Sequence, residues 1–140
     1  MVRTSPARTA VLLPAMIAAA ALAACQTEPA GGPLIATVDN NAAVAVLQKV
    51  NGEAHACWIR SNDRAFSDYR LIPELDTRVG KPRLLLVRAR AAQGLPQLVI
   101  EAEGSPVRLT TYGPLAQGQL SARINTDVTR WATGGTGCKA

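Results

Sequence analysis

A series of short apolar runs between Tyr69 and Tyr112 is typical of β-strands. In the third run, Leu98, Ile100 and Ala102 alternate with more polar residues, which is the pattern of a strand with one buried face. Turn-forming Gly and Pro residues separate the runs, and the short gaps favour antiparallel pairing. We therefore predict an antiparallel meander. Its strands are Tyr69–Ile72, Arg83–Arg90, Gln97–Glu103 and Val107–Tyr112, with a further short strand at Cys57–Ile59.

Helical patterns flank the predicted strands on both sides. Asp39–Val50 has apolar residues at helical spacing, and Asp39 or Asn40 can cap its first turn. Gly113-Pro114 opens a second helix, which Gly134-Gly135 ends. The apolar stripe of this helix is Leu120, Ile124, Val128 and Trp131. This order predicts a two-layer α+β fold, in which an antiparallel sheet of four to five strands carries an N-terminal and a C-terminal helix on one face.

The first 24 residues have the three zones of a secretory signal. Arg3 and Arg8 supply the positive start, Ala10–Leu22 is an apolar stretch too short for a transmembrane helix, and small residues follow it. We therefore divide the chain into a signal peptide over 1–24, a flexible Pro/Gly-rich tether over 25–36 and a single α+β domain over 37–140.

The motif Leu22-Ala23-Ala24-Cys25 resembles the lipobox of bacterial lipoproteins. In that family the cysteine thiol receives a diacylglyceryl group, and a peptidase then cuts the chain before it. The resemblance implies a lipid on Cys25 that holds the protein to a membrane of the cell envelope. By analogy with enterobacterial-type sorting, Gln26 favours the outer membrane, facing the periplasm. The alternative is an ordinary secreted protein whose leader ends at a cysteine by chance.

Cys57 and Cys138 form an even pair once Cys25 is set aside. Because the envelope is oxidising, we expect a structural disulfide between them. Metal binding is the alternative, but His55 is the only histidine, and zinc needs three or four ligands. Thiol catalysis lacks a C-x-x-C motif. Trp58 and Trp131 lie near the two cysteines in sequence, and we expect them to pack around the bond rather than form a ligand platform.

The chain is mildly basic. Its formal charge is +5, and about +3 remains once Arg3 and Arg8 of the leader are removed. These charges are spread along the chain rather than clustered, which excludes a nucleic-acid-binding signature. An anionic partner is compatible with this charge. The strongest candidate for a binding surface is a basic group on the sheet: Lys81, Arg83, Arg88, Arg90 and Arg108.

No set of residues in the sequence has the pattern of a catalytic site. There is no G-x-S-x-G motif, and His55 has no marked partner serine. Glu101 and Glu103 share a strand face, which is the arrangement of a carboxylate pair. A solvated strand face explains them equally well, with Arg88 or Arg90 as cross-strand partners.

The segment Gly134-Gly135-Thr136-Gly137 follows a helix, whereas phosphate-binding loops open one. We therefore interpret it as a helix stop with a flexible tail. The sequence predicts no catalytic residues, no cofactor and no metal site.

The domain also resembles envelope lipoproteins of rhizobial-type alphaproteobacteria, and this resemblance implies no particular activity. The residues that carry it are Cys57-Trp58, Phe66, Tyr69, Glu74-Leu75, Pro82-Arg83, Tyr112-Gly113-Pro114-Leu115, Arg123-Ile124, Arg130-Trp131 and Cys138.

The function that we expect is a membrane-anchored, non-catalytic binding or assembly module of the envelope. Its partner would be another envelope protein or an anionic polymer, and not nucleic acid. The first alternative is a small-ligand carrier with a groove between helices and sheet. An inhibitor of envelope-degrading enzymes such as lysozyme is disfavoured, because lysozymes are typically basic and this domain is basic too. An enzyme is the last alternative.

Overall fold

A computed structural model describes residues 31–76 and 78–139. The predicted signal peptide, the lipobox with Cys25, Gln26 and the tether as far as residue 30 lie outside the described residues. The described chain forms one five-stranded antiparallel sheet in the order β1-β5-β4-β3-β2. The strands are β1 (Ile35–Val38), β2 (Tyr69–Glu74), β3 (Arg83–Arg88), β4 (Leu98–Glu103) and β5 (Val107–Tyr112). This arrangement confirms the predicted α+β class and antiparallel sheet.

The strand register sorts the side chains onto two faces. Leu86 lies opposite Leu98, and Ile100 lies between Leu84 on one side and Thr111 on the other. All five are at most 1% exposed, so these positions form the inner face. Alternate residues of the same strands point the other way, as the two-residue period of a strand requires.

Two helices cover the inner face. The first, α1 (Ala43–Ala54), buries Val46, Leu47, Val50 and Ala54. The second, α2 (Ser121–Ala132), buries Ile124, Val128 and Trp131 of the predicted stripe. These side chains and the apolar side chains of the inner face belong to one hydrophobic core. Burial of each large aliphatic side chain stabilises the fold by about 1.5–3 kcal/mol.

The first strand is absent from the prediction. Ile35 and Ala36 fall inside the segment that we assigned to the tether, yet they pair with Thr110 and Leu109 of β5. The sheet therefore reaches further toward the N-terminus than the sequence indicated. The first helix begins at Ala43 rather than near Asp39, because the Asn40 carboxamide accepts the Ala42 N–H at 2.8 Å and forms a turn before it.

The predicted strand at Cys57–Ile59 is wrong. His55–Ile59 is a π-helical turn that continues α1, and the Arg60 N–H donates to the His55 carbonyl at 2.9 Å. Successive strand residues point to opposite faces, but Cys57 and Trp58 are both buried. A helical turn can direct two successive side chains into the same core.

The second helix also begins later than predicted. Pro114–Ala116 forms a separate 3-10 turn, and the chain bends at Gly118 before α2 starts at Ser121. The predicted stop is confirmed, because Gly134 has a φ of +96° and the Gly135 N–H donates to the Arg130 carbonyl at 2.8 Å.

Candidate functional site

A disulfide joins Cys57 in the π-helical turn to Cys138 in the C-terminal tail. The two sulfur atoms are 2.05 Å apart, and the two Cα atoms are 5.2 Å apart. This confirms the predicted pairing. His55 lies two residues before Cys57, partly exposed, at the end of α1. No group of three or more His, Cys, Asp or Glu residues in the described ranges could hold a metal ion.

Hydrogen bonds hold the C-terminal tail against the helices, so the prediction of a flexible tail is wrong for residues 136–138. The Arg130 guanidinium donates to the carbonyls of Thr136 and Gly137 at 2.8 and 2.6 Å, and the Trp131 indole N–H donates to Gly137 at 3.1 Å. The Gly137 N–H in turn donates to Glu53 at 2.8 Å and lowers the pKa of that carboxyl.

A buried carboxylate lies at the centre of this region. Asp127 of α2 is 4% exposed, and its carboxylate accepts hydrogen bonds of 2.9 Å from both the Trp58 indole and Arg130. A second cation, Arg123, lies 3.7 Å from Asp127 and also pairs with Asp63. Burial of an ionised carboxylate is costly unless it is paired and hydrogen-bonded, and Asp127 has both kinds of partner.

The network joins the π-helical turn, α2 and the tail. Trp58 also stacks on Phe66 with a centroid separation of 4.7 Å, and it meets Trp131 at 5.1 Å. All three rings are fully buried. The two tryptophans therefore pack within the core beside the disulfide, as expected, and neither presents an aromatic face as a ligand platform.

A groove of about 680 Å³ opens beside the disulfide. The Arg123 side chain hydrogen-bonds Asp63 and lowers the pKa of that carboxyl, so the charges in the groove compensate one another. The central helix–sheet interface is filled, because Leu47, Val50, Leu98 and Ile100 are at most 1% exposed. The residues that line the groove include Cys57, Ser61, Asp63, Arg123, Asp127 and Cys138.

Three of the five predicted surface cations are neutralised by carboxylates. Lys81 lies 3.2 Å from Glu101 and 2.9 Å from Glu103, and Arg108 also pairs with Glu103. These contacts raise the pKa of Lys81 and lower that of Glu103. The predicted cross-strand pairing of Glu101 and Glu103 with Arg88 or Arg90 is therefore wrong, because Lys81 and Arg108 are their partners.

The third neutralised cation, Arg83, donates to Glu74 of β2 at 2.6 Å. On the same outer face the Tyr112 hydroxyl donates to Glu101 at 3.3 Å, and burial raises the pKa of Tyr112. Val99, which lies opposite Tyr112 in the register, is only 6% exposed. Ion pairs and the tyrosine ring thus shield the outer face.

The other two predicted cations lie at the opposite end of the strands. Arg88 ends β3, 5.8 Å from the centre of the Tyr69 ring, and Arg90 follows in the β3–β4 loop. The two arginines share a small cavity with Asp68. The same loop carries Leu95, which is 86% exposed. The structure therefore divides the predicted basic group between two separate places.

We name the two ends of the sheet after their most exposed large hydrophobic side chains. The Leu95 end comprises the starts of β1, β2 and β4, the ends of β3 and β5, and the segments 31–34, 60–68 and 89–97. The Val79 end comprises the opposite strand termini and the β2–β3 connection, where Val79 is 91% exposed.

The Leu95 end is positively charged. It carries five exposed arginines, and no described carboxylate forms an ion pair with any of them. The carboxylates at this end are Asp63, which Arg123 already neutralises, and Asp68. At the Val79 end, acidic and basic residues are nearly balanced. The five arginines are Arg60, Arg64, Arg70, Arg88 and Arg90.

Within the described part of the chain, we find no helix that is long and apolar enough to cross a membrane. Comparison of the chain with protein-family models, with curated proteins and with solved structures found no match. The candidate site is therefore defined by its own geometry: a basic, partly apolar end of the sheet, adjoining a disulfide-stapled helical layer.

Proposed function

We propose that this protein is a lipid-anchored lipoprotein of the bacterial envelope whose folded domain is a non-catalytic binding or assembly module. The lipobox motif at Leu22–Cys25 supports the anchor, and Gln26 favours the outer membrane, on the periplasmic side. The partner would be an envelope protein or an anionic polymer.

The observation that carries the binding proposal is the group of exposed arginines at the Leu95 end. At the Val79 end, carboxylates of the same surface pair with Lys81, Arg83 and Arg108. Cations that lack such partners produce a local positive potential, which attracts an anionic surface and accelerates its encounter. The Leu95 end therefore suits an anionic partner better than the Val79 end does.

The anchor is tested with Cys25→Ser in cells fed a labelled fatty acid. We expect the native protein to take up label and to sediment with membranes, whereas the variant remains unlabelled and is released or keeps its leader. Gln26→Asp provides the control for sorting between the two membranes. Equal labelling of Cys25→Ser and the native protein would refute the anchor.

The binding module is tested by crosslinking in cells followed by purification. The double variant Arg88→Glu/Arg90→Glu should lose the specific envelope component that the native protein recovers. Arg78→Glu is the charge-reversal control at the Val79 end, because Arg78 is exposed and, like Arg88 and Arg90, has no ion-pair partner among the described residues. If both variants recovered the same component in equal amounts, the Leu95 end would not be the binding surface.

The groove beside the disulfide supports a second candidate function, a small-ligand carrier. Its volume is within the range of small-molecule sites, and it lies between α2 and the 57–63 segment rather than between helices and sheet. A bulky substitution at its rim, Ser61→Trp, should abolish ligand recovery by mass spectrometry of the native protein. Unchanged recovery would eliminate this candidate.

A further inference from the structure

We infer that the Leu95 end is a membrane-facing surface: its arginines lie on anionic lipid headgroups, and Leu95 inserts among the lipids. This inference rests on the proposed lipid anchor and adds an orientation to it. It takes anionic lipid headgroups, rather than an envelope protein or polymer, as the partner of the Leu95 end. Three observations support it, namely where the chain joins the sheet, how charge is distributed between the two ends, and where the exposed leucine lies.

The direction of the chain favours the Leu95 end as the end nearer the membrane. β1 starts at Ile35, which pairs with Thr110 near the end of β5, and this is the Leu95 end. Ile35 is ten residues after Cys25, so even a fully extended chain separates the two residues by at most ~36 Å. A lipid on Cys25 would therefore hold this end close to the bilayer.

The distribution of charge between the two ends also favours the Leu95 end as the one nearer the membrane. The Leu95 end carries five arginines that have no ion-pair partner among the described residues. The Val79 end carries one, Arg78, beside the ion pairs of Glu74, Glu101 and Glu103. Each basic residue near an anionic bilayer raises affinity about fivefold. The difference in charge between the two ends would therefore orient the domain with the Leu95 end toward the membrane.

The exposed leucine distinguishes a bilayer from other anionic partners. Leu95 lies in the β3–β4 loop next to Pro96 and is 86% exposed, with Arg90 on the same loop. Apolar side chains beside cations are the combination with which peripheral segments enter the headgroup region. A hydrated polysaccharide would contact the arginines but offer no apolar layer for Leu95.

A tryptophan scan of the two ends tests this orientation. Trp58 and Trp131 are fully buried, so a tryptophan introduced at an exposed position reports on its own surroundings. Leu95→Trp and the matched control Val79→Trp place the probe on exposed loops at opposite ends. The full-length lipidated variants are purified from cells and reconstituted into vesicles of phosphatidylcholine with or without phosphatidylglycerol.

We expect brominated lipid to quench Leu95→Trp several-fold more than Val79→Trp in the anionic vesicles, and acrylamide to quench them in the reverse order. Adding Arg88→Glu/Arg90→Glu to Leu95→Trp should reduce lipid quenching to the level of Val79→Trp. Equal quenching of the two probes by acrylamide, with no lipid quenching of Leu95→Trp, would overturn the inference.

Mass spectrometry of the same preparations separates the two proposals. If Cys25 is acylated but the Leu95→Trp probe stays in water, the orientation is refuted and the anchor stands. That result would favour an envelope protein or polymer over lipid as the partner of the Leu95 end. If Cys25 carries no lipid, the anchor is refuted, and the orientation that rests on it is refuted as well.

Discussion

The Asp127→Ala substitution should be among the most destabilising single changes in α2. It removes the acceptor of the Trp58 indole N–H, a fully buried donor that then lacks a partner. An unsatisfied buried donor costs about 1–3 kcal/mol. Arg130 loses its carboxylate partner but keeps two carbonyl acceptors. Its contribution to the loss in stability is therefore below the ~3–5 kcal/mol that breaking a buried ion pair costs. We expect a total loss of about 3 kcal/mol in the free energy of unfolding.

Urea unfolding with the disulfide intact measures this loss. Thr126→Ala is the matched control, because Thr126 is the neighbouring residue on α2 and, among the described residues, its hydroxyl bonds only to the Ala122 carbonyl. That control should stay within about 0.5 kcal/mol of the native protein. If Asp127→Ala cost no more than Thr126→Ala, the Asp127 network would contribute nothing to the free energy of unfolding, and the reasoning would be refuted.

A double-mutant cycle isolates the contact between Asp127 and Trp58. Trp58→Phe removes the N–H but keeps an aromatic ring against Phe66, whose centroid is 4.7 Å from that of Trp58. The double variant should be more stable than the sum of the single losses predicts, by about 0.5–3 kcal/mol, because the second change removes the donor that the first leaves unpaired. Strictly additive losses would show that water satisfies the indole in Asp127→Ala, and the reasoning above would be wrong.

Three further predictions concern the tail, a turn and an ion pair. Cys57→Ser/Cys138→Ser should lower the free energy of unfolding by about 4–5 kcal/mol, because the disulfide closes a loop with a sequence separation of 81. Urea titration measures the loss, and a loss under ~1 kcal/mol would contradict the prediction. Gly113→Ala should destabilise the domain in the same assay, because Gly113 has a φ of +111° and a Cβ would lie 2.8 Å from the Gln97 carbonyl oxygen; an unchanged midpoint would contradict this. Arg123 lowers the pKa of Asp63 below its ordinary 3.8, so the stability that this pair contributes is present above pH 3.8 and is lost as pH falls through the lower pKa of the folded state. The difference in free energy of unfolding between the native protein and Asp63→Asn should therefore narrow as pH falls below 3.8. A difference that stays constant with pH would contradict the assignment.

Most of the sheet could be predicted because its strands carry strong local signals. In β4, the alternation of Leu98, Ile100 and Ala102 specifies which face is buried, and a register shift of one residue would expose all three. β1 has no comparable signal. It is four residues long, follows a Pro/Gly-rich stretch and pairs with a strand that is distant in sequence, so only the tertiary structure defines it.

The segment Cys57–Ile59 shows how packing overrides local preference. Its Cys-Trp-Ile composition favours a strand. In the structure, Trp58 is surrounded by Phe66, Trp131 and the Asp127 carboxylate, and a π-helical turn brings the indole to all three. The helical spacing of Arg123, Asp127 and Arg130 is visible in the sequence and could have indicated the network, but it does not reveal that Asp127 is buried.

The predicted basic surface shows why nearness in sequence does not place charges together. Arg83 and Arg88 are at opposite ends of one strand, about 17 Å apart at 3.4 Å per residue. This exceeds the Debye length of about 8 Å at physiological ionic strength, so solvent ions screen each end from the other. The two groups therefore act as separate electrostatic sites. Glutamates pair with the cations of the first, Lys81, Arg83 and Arg108, whereas Arg88 and Arg90 of the second form no ion pair with a described residue. Reversing the charge of Arg88 and Arg90 should change the electrostatic potential of the Leu95 end and leave the ion pairs of Lys81, Arg83 and Arg108 intact.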